Sequence, residues 1–170
     1  MILTGNEIVR LVRKRKIIIS PFNEKRVNPN SYNYSLGKFY RTVDYDENGN
    51  CLPSELKKIP QTGLTLYPGK VYLASTEEQI GSSSYVVSLI GRSSVGRLGL
   101  FVQYSADLGN LGSAHCWTLE LKCVQPIIVY PGMIMGQVSF WKTKGKRKIY
   151  SGLYTHFDTP EGKQYDIDGK

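Results

Sequence analysis

The chain has 170 residues, enough for one domain that buries a hydrophobic core without disulfides or metal ions to hold it together. Its 22 Lys and Arg outnumber its 14 Asp and Glu, and the net charge of +8 favours an anionic partner such as a nucleotide, a nucleic acid or a membrane surface. Three cysteines without a C-x-x-C pair argue against a secreted disulfide scaffold and a cysteine zinc site, and the absence of a leader or a long apolar run predicts a cytoplasmic protein.

The first predicted element is a short amphipathic helix over residues 4 to 15. Thr4 and Glu7 have the spacing of a capping box, and Ile8 and Leu11 recur on one face. No other stretch of the chain shows a convincing helical period.

The remainder of the chain is rich in Val, Ile, Tyr and Thr and is divided by Gly and Pro. At least seven short strands at this spacing predict an antiparallel sandwich, jelly roll or barrel within a single domain, residues 1–170. The polar segment from Asp44 to Lys58 is predicted to be a surface excursion, and residues 158–170 are predicted to be a flexible lid or tail. The strand-like segments are KIIIS, YNYSLGKFYRTV, GLTLYPGKVYLAST, YVVSLIG, LGLFVQY, CWTLELKC, PIIVYPGMIMGQVSFW and RKIYSGLY.

The run GRSSVGRLGL, from Gly91 to Leu100, has the highest density of residues that could bind a ligand. A P-loop requires Lys and Ser or Thr where this chain has Arg97 and Leu98, so that interpretation fails. A turn loosened by glycine could instead offer backbone N–H groups, serine hydroxyls and two guanidinium groups to phosphate oxygens. The residues alone leave a second interpretation open, in which an arginine is buried beside Glu120 in the core of an oligomer.

Four motifs taken together make the interpretation of the sequence more specific. GRSSVGRLGL, SADLGNLG, TLEL and YPGMIMGQVSF resemble the dCTP deaminase branch of the trimeric dUTPase-like family, most closely over residues 89–140. The resemblance implies a mainly β fold, a distorted β-barrel or jelly roll with a short N-terminal helix. It also implies a homotrimer with active sites at the subunit interfaces.

By the same resemblance, the chain is an enzyme that deaminates a cytosine nucleotide by hydrolysis, most simply dCTP to dUTP and ammonia. Glu120 would be the general base, Ser93 would hold the attacking water, and Arg97 would orient both. Mg²⁺ would bind through the nucleotide phosphates. No zinc is expected, because the H-x-E and P-C-x-x-C motifs of zinc deaminases are missing.

The resemblance also implies a set of substrate contacts, which includes phosphate-binding side chains, a backbone group that reads the base edge, a contact to the sugar 3′-hydroxyl and two aromatic side chains. In that order they are Arg92 and Ser94, Ala106, Asn110, and Tyr150 with Tyr154.

Asn110 stands where relatives that cleave dUTP to dUMP have an aspartate that acts as base. An amide cannot accept that proton, so a dUTPase or a bifunctional deaminase and pyrophosphatase is disfavoured unless Asp107 substitutes. Asn33 and Ser35 replace an acid and an arginine of the family's D-L-R-L-G motif, which predicts the loss of a structural ion pair or an intersubunit contact.

The C-terminal segment departs from the family as well. Leu153 replaces a lysine, and Thr155 and Phe157 replace two glutamines, which removes a cation and two amide contacts from the expected lid. The basic run from Lys142 to Lys148 could compensate. An alternative from another class is therefore a nucleotide-binding or regulatory homologue without turnover.

Other side chains have simpler explanations. Trp117 and Trp141 are predicted to be core residues or trimer contacts, and nucleic acid is not expected as a partner because no exposed platform of aromatic and basic residues is evident. His115 and His156 are predicted to lie on the surface or in loops. Cys116 and Cys123 are predicted to be small buried thiols.

Overall fold

The structure, a computed structural model, describes residues 1–102, 106–151 and 159–160. Within these residues strands predominate, and only α1 and α2 are α-helical. The elements are α1 Gly5–Arg13, β1 Ile18–Ser20, a 3₁₀ turn Glu24–Arg26, β2 Tyr32–Tyr45, β3 Cys51–Pro53, β4 Lys57–Lys58, β5 Leu64–Leu66, β6 Val71–Gly81, β7 Tyr85–Gly91, α2 Ser93–Gly96, β8 Leu100–Val102, β9 Ala114–Cys123, β10 Ile127–Val129 and β11 Ile134–Lys142.

The predicted N-terminal helix is confirmed as α1, although the capping box does not form. Thr4 occupies the N-cap position without a side-chain cap, and Glu7 pairs with Arg10 instead of reaching back to the helix start. Ile8 and Leu11 are buried, so the apolar face packs against the barrel as the spacing predicted.

The strands form one antiparallel sheet in the order β7–β11–β2–β6–β9–β8. β1 pairs with β6, both β3 and β4 pair with β2, and β5 and β10 form a separate pair. The two edges of the large sheet approach each other, since a Cβ built on Gly91 of β7 would lie 3.7 Å from Cβ of Val102 in β8. The expected mainly β, barrel-like fold is confirmed.

The segment after β8 extends the free edge of β7. The N–H of Leu89 donates to the carbonyl of Asp107, and the N–H of Gly109 donates to the carbonyl of Val87, each at 2.8 Å. These bonds satisfy edge groups that would otherwise need water or another chain.

The core lies inside the curved sheet and under α1. Strand alternation sends one side chain in two inward, as in β9, where Leu119 and Leu121 are buried. The large side chains Tyr32, Tyr34 and Phe140 fill the centre and are fully buried.

The polar segment from Asp44 to Lys58 is more ordered than a surface excursion requires. β2 continues as far as Tyr45, the carboxylate of Asp46 caps the turn through the N–H groups of Asn48 and Asn50, and β3 returns along β2. The segment contains no buried residue, so the predicted surface excursion is confirmed, and a side-chain turn rather than an apolar pattern organises it as a hairpin.

Ser35 lies beside a buried ion pair formed by other residues. Glu78 is fully buried, and its carboxylate accepts hydrogen bonds from Arg26 Nη1 at 2.6 Å and from the Ser35 N–H at 2.9 Å. Burial raises the pKa of Glu78, while the bonds from Ser35 and the charge of Arg26 act in the opposite direction. An arginine from the 3₁₀ turn thus pairs with Glu78, and the loss of the family's contact at Asn33 and Ser35 stays a prediction.

This arrangement predicts that Arg26→Met destabilises the protein by about 3 kcal/mol, because it leaves the Glu78 carboxylate buried without its cation. The free energy of unfolding from urea denaturation measures the effect. Arg13→Met is the matched control, since the Arg13–Glu24 pair is solvent-exposed and its loss should cost less than about 1 kcal/mol. Equal losses in both variants would contradict the structural role given to Arg26.

Candidate active site

Glu120 lies on the outer face of β9, which is flanked by β6 and the edge strand β8. Its neighbours Leu119 and Leu121 point into the core, so strand alternation turns Glu120 outward, where it is half-buried. Glu120 pairs in register with Leu73 of β6, and Leu73 pairs in turn with Arg41 of β2. These three residues therefore form one row across three strands on the same face.

The Gly91–Leu100 motif folds as the one-turn helix α2 rather than as an open glycine turn. The N–H groups of Val95 and Gly96 donate to the carbonyl of Arg92, and the N–H of Arg97 donates to the carbonyl of Ser93. These bonds use the amides of Val95, Gly96 and Arg97, and contact between other backbone N–H groups of the run and phosphate oxygens stays a prediction. The side chains of Ser93, Ser94 and Arg97 are exposed, and Arg92 is half-buried.

Hydrogen bonds hold α2 at the end of β9 that follows Glu120. The N–H of Val124 donates to the carbonyl of Gly99 at 3.0 Å, and the Gln125 amide donates to the carbonyl of Leu98 at 3.1 Å. Glu120 and the α2 side chains therefore lie toward the same end of the barrel. Arg97 is exposed within the single chain, and its burial beside Glu120 in an oligomer stays a prediction.

The turn from Asp107 to Gly112 carries Asn110 at an exposed position. The Asp107 carboxylate accepts a hydrogen bond from the Ser88 hydroxyl at 3.1 Å, which ties it to β7. Gly109 is buried against the Trp117 ring, where a side chain would not fit. Ala106 is exposed just before this turn.

The predicted aromatic contact Tyr150 lies beside the Asn110 turn. Its N–H donates to the carbonyl of Leu111 at 2.9 Å, and the preceding Ile149 packs against Gly112. Tyr154 lies outside the described residues, as do the substituted lid positions Leu153, Thr155 and Phe157.

One chain thus divides the predicted substrate residues into two groups. Gly109 pairs with Val87, whereas Arg92 follows Gly91 at the far end of β7, five residues away. Because the pairing is antiparallel, Asn110 lies opposite residue 86, six residues from Arg92, and at about 3.3 Å per residue the two are roughly 20 Å apart along the strand. Glu120 and α2 form one group, and Asn110 with Tyr150 forms the other.

The basic run from Arg10 to Lys16 and the basic run from Lys142 to Lys148 meet at the Asn110 and Tyr150 group, a relation that the sequence could not reveal. The Ser82 hydroxyl donates to the carbonyl of Lys16 at 2.7 Å, and the Ser82 carbonyl accepts from the N–H of Gly112 at 2.9 Å. Ile149, next to Lys148, packs on the same glycine. Every Lys and Arg side chain of both runs is exposed.

The predictions for the tryptophan, histidine and cysteine side chains have mixed outcomes. Trp117 is a core residue whose indole N–H donates to the Ile80 carbonyl, whereas Trp141 is 43% exposed. His115 is buried against Trp117 in β9, so its prediction as a surface or loop residue was wrong. Cys123 is buried and Cys116 half-buried, and His156 lies outside the described residues.

The described residues contain neither a cluster of metal ligands nor a helix that could span a membrane. No three His, Cys, Asp or Glu side chains come together there as metal ligands would. In the same part of the chain, no helix has the length and apolar character needed to cross a membrane.

A family model and the sequence relatives of this chain agree on one family. The model of the dCTP deaminase-like family matches residues 2–143. A Clostridium beijerinckii protein named dCTP deaminase, dUMP-forming, is 45% identical over 153 residues, which cover 89% of this chain and 88% of the relative. A Rhodopirellula baltica protein named dCTP deaminase is 41% identical over 150 residues, covering 85% and 74%.

A solved structure supports the fold. The crystal structure of 2′-deoxycytidine 5′-triphosphate deaminase from Agrobacterium tumefaciens superposes with a TM-score of 0.66 at 22% sequence identity. The match covers 82% of this chain but 47% of the other, so the chain spans about half the length of that protein.

The packing of the Asn110 turn yields a stability prediction. Gly109→Ala should lower the melting temperature by several degrees, because the added methyl group would overlap the Trp117 ring and Val87. Gly96→Ala is the control, since a methyl group there meets open space within α2. Scanning calorimetry of both variants checks this, and an unchanged Gly109→Ala midpoint would show that the turn is not packed as described.

Proposed function

Because the chain belongs to the dCTP deaminase-like family, we propose that it deaminates a cytosine nucleotide by zinc-independent hydrolysis, most simply dCTP to dUTP and ammonia. The observation that carries the proposal is the position of Glu120. It is half-buried on the outer face of β9, toward the barrel end where α2 presents Ser93 and Arg97. A carboxylate, a hydroxyl and a guanidinium group can together bind and activate one water molecule.

The proposed reaction requires only proton transfers around that water. Glu120 accepts a proton as the water oxygen bonds to C4 of the cytosine ring, and it passes that proton to N3. Glu120 then takes the proton of the new C4 hydroxyl and delivers it to the amino group, which leaves as ammonia while the C4 carbonyl forms. Ser93 would hold the water by a hydrogen bond, and the Arg97 guanidinium would orient the carboxylate. The zinc-independent form is proposed because the sequence lacks the H-x-E and P-C-x-x-C motifs.

Phosphate binding is proposed for the exposed cations. Arg92 and Ser94 would contact the phosphate tail by charge-assisted hydrogen bonds. A Mg²⁺ ion carried by the triphosphate would neutralise part of its charge, and such an ion keeps water ligands and needs few protein ligands. The basic run that ends at Lys148 lies beside Tyr150, where it could supply the cation that Leu153 removes from the expected lid.

A homotrimer with sites between subunits is proposed for two reasons. The first is the separation of the Glu120 group from the Asn110 group, which two copies of the chain could bring together across an interface. The second is an apolar outer face on β7 and β11, where Ile90 and Trp141 are exposed alongside Leu108, which is 69% exposed. Apolar surface of this kind is typical of subunit interfaces.

The product is proposed to be dUTP, although the Clostridium relative is named dUMP-forming. Release of diphosphate requires a base for water at the α-phosphate, and Asn110 cannot be that base. Asp107 is the nearest carboxylate in the turn, but its carboxylate is hydrogen-bonded to Ser88 on β7. A homologue that only binds nucleotide is not favoured, because the relatives compared above are named as deaminases.

Glu120→Gln should reduce kcat for dCTP deamination by about 10²- to 10⁴-fold, because an amide cannot accept the proton from water. Ammonia release and the absorbance change of the cytosine ring measure the rate across cytidine and deoxycytidine mono- and triphosphates. Glu55→Gln, at an exposed position in the hairpin, is the charge-matched control and should retain full activity.

Calorimetry beside the activity assay distinguishes an enzyme from a homologue that only binds nucleotide. Calorimetry should detect dCTP binding in both the parent and Glu120→Gln. If the parent binds nucleotide but releases no ammonia from any of these substrates, the proposed function is wrong.

Asn110→Asp should add dUMP and diphosphate to the products, because it restores a carboxylate at the position that the family uses as base. Chromatography of the nucleotides after complete deamination measures the ratio of dUMP to dUTP. Asn6→Asp places the same charge at an exposed site on α1 and should leave the ratio unchanged. Formation of dUMP by the parent at a rate similar to deamination would show that Asn110 does not decide the product.

A further inference from the structure

The two basic runs begin beside one turn, the connection of β6 to β7. Tyr85, at the end of this turn, pairs in register with Lys142, the first residue of the second run. The Glu7 carboxylate and, to a smaller extent, the nearby Tyr85 side chain raise the pKa of Arg10, the first residue of the other run. The starts of the two runs therefore lie on either side of Tyr85.

The two runs also end beside this turn. The Ser82 hydroxyl donates to the carbonyl of Lys16 at 2.7 Å, which holds the end of the first run. The Ser82 carbonyl accepts a hydrogen bond from the N–H of Gly112, and Ile149, directly after Lys148, packs on the same glycine. Both ends of both runs thus lie close to four residues of the chain, so the runs form a single surface.

This surface, which we call the basic band, consists of residues 10–16 and 142–148 and holds the whole positive excess of the protein. Ten of the 22 Lys and Arg lie in it, and the twelve others face 14 Asp and Glu. All ten side chains are exposed, and neither run contains an acid. In the part of the chain that the structure describes, only Arg10 and Arg13 of the band form ion pairs, so eight cations have no carboxylate partner there.

The end of α1 has a cation where glycine is favoured. Arg15 has a φ of 54°, the left-handed conformation. Its N–H donates to the carbonyl of Val12, and the N–H of Lys16 donates to the carbonyl of Leu11. These two bonds form a Schellman motif, in which the left-handed residue is usually glycine. A guanidinium group in this strained conformation points to a role for its charge in binding.

The spread of the cations fits a chain of phosphates better than a single anion. Side chains distributed over two runs of seven residues cannot all reach one triphosphate, whereas duplex DNA presents one negative charge per about 1.7 Å of its axis. A membrane surface fits less well, because a helix bound there inserts its apolar face into the lipid. The apolar residues of α1, Ile8 and Leu11, are buried in the core.

We propose that the basic band binds the phosphate backbone of nucleic acid without preference for base sequence. This revises the expectation that nucleic acid is not a partner, which rested on the lack of an evident platform in the sequence. The band lies where β7 begins, whereas α2 follows the last residue of β7, so nucleic acid would bind away from the α2 end of the barrel. Binding would be driven by the release of counterions, and its affinity should fall steeply with salt.

Fluorescence anisotropy of labelled single-stranded and double-stranded oligonucleotides, titrated with the full chain at several salt concentrations, tests the proposal. The parent should bind with a micromolar Kd at about 50 mM salt, and log Kd should rise with log salt with a slope of about 5. The triple variant Lys14→Gln, Arg15→Gln, Lys16→Gln should raise Kd by about tenfold or more and lower the slope by about 2.

The matched control is the triple variant Lys57→Gln, Lys58→Gln, Lys70→Gln. It removes the same charge at exposed positions outside the basic band and should bind as the parent does. Arg15→Gly is a second test that does not depend on how the band triple folds. It should raise Kd by about threefold without lowering the melting temperature, because glycine is favoured in the left-handed conformation. Damage to the fold would not give that combination.

Four results would overturn the proposal. The first is the absence of binding by the parent at low salt, and the second is equal weakening in the band triple and the control triple, which would reflect net charge alone. Displacement of the oligonucleotide by dCTP and Mg²⁺ at concentrations that saturate the enzyme would assign these cations to the substrate site. Binding to vesicles of anionic phospholipid but not to oligonucleotides would assign the band to a membrane surface. The anisotropy measurements require no deamination, so failure of the proposed function leaves this test intact.

Discussion

The pairing of β6 with both β2 and β9 is the constraint on which the site depends. These three strands carry the row from Arg41 through Leu73 to Glu120, and their inner faces carry the buried residues Ala74 and Leu119. A slip of one residue would turn Glu120 into the core and Leu119 outward. Burial of the inner face therefore fixes the register, and the register fixes the position of the carboxylate.

Side-chain hydrogen bonds hold β6 in place where its pairing with β9 is irregular. β6 shifts its pairing with β9 between Ser75 and Gln79, and Glu78 is buried within that interval. The carboxylate receives hydrogen bonds from Arg26 and Ser35, so the irregular stretch is tied to two other parts of the chain. An unpaired carboxylate there would be costly, which makes the ion pair a local determinant of strand geometry.

The sequence predicted the type of fold and the residues of the site better than their arrangement. Apolar periodicity and turn residues identified α1 and most strands, and the motifs pointed to Glu120 and the α2 residues. Strand pairing over long sequence separations was not readable, so the row with Arg41 and the meeting of the basic runs at Ser82 were missed. The Arg26–Glu78 pair was not predicted for the same reason, since its partners are 52 residues apart in the sequence.

The two groups of predicted substrate residues are fixed in different ways. Glu120 is fixed by strand register, whereas Asn110 and Tyr150 are fixed by a turn packed on Trp117 and Gly112. The two groups are nevertheless connected, because Trp117 belongs to β9, the strand that carries Glu120. The pairing of β9 with β6 therefore determines both the outward direction of Glu120 and the position of the ring against which the Asn110 turn packs.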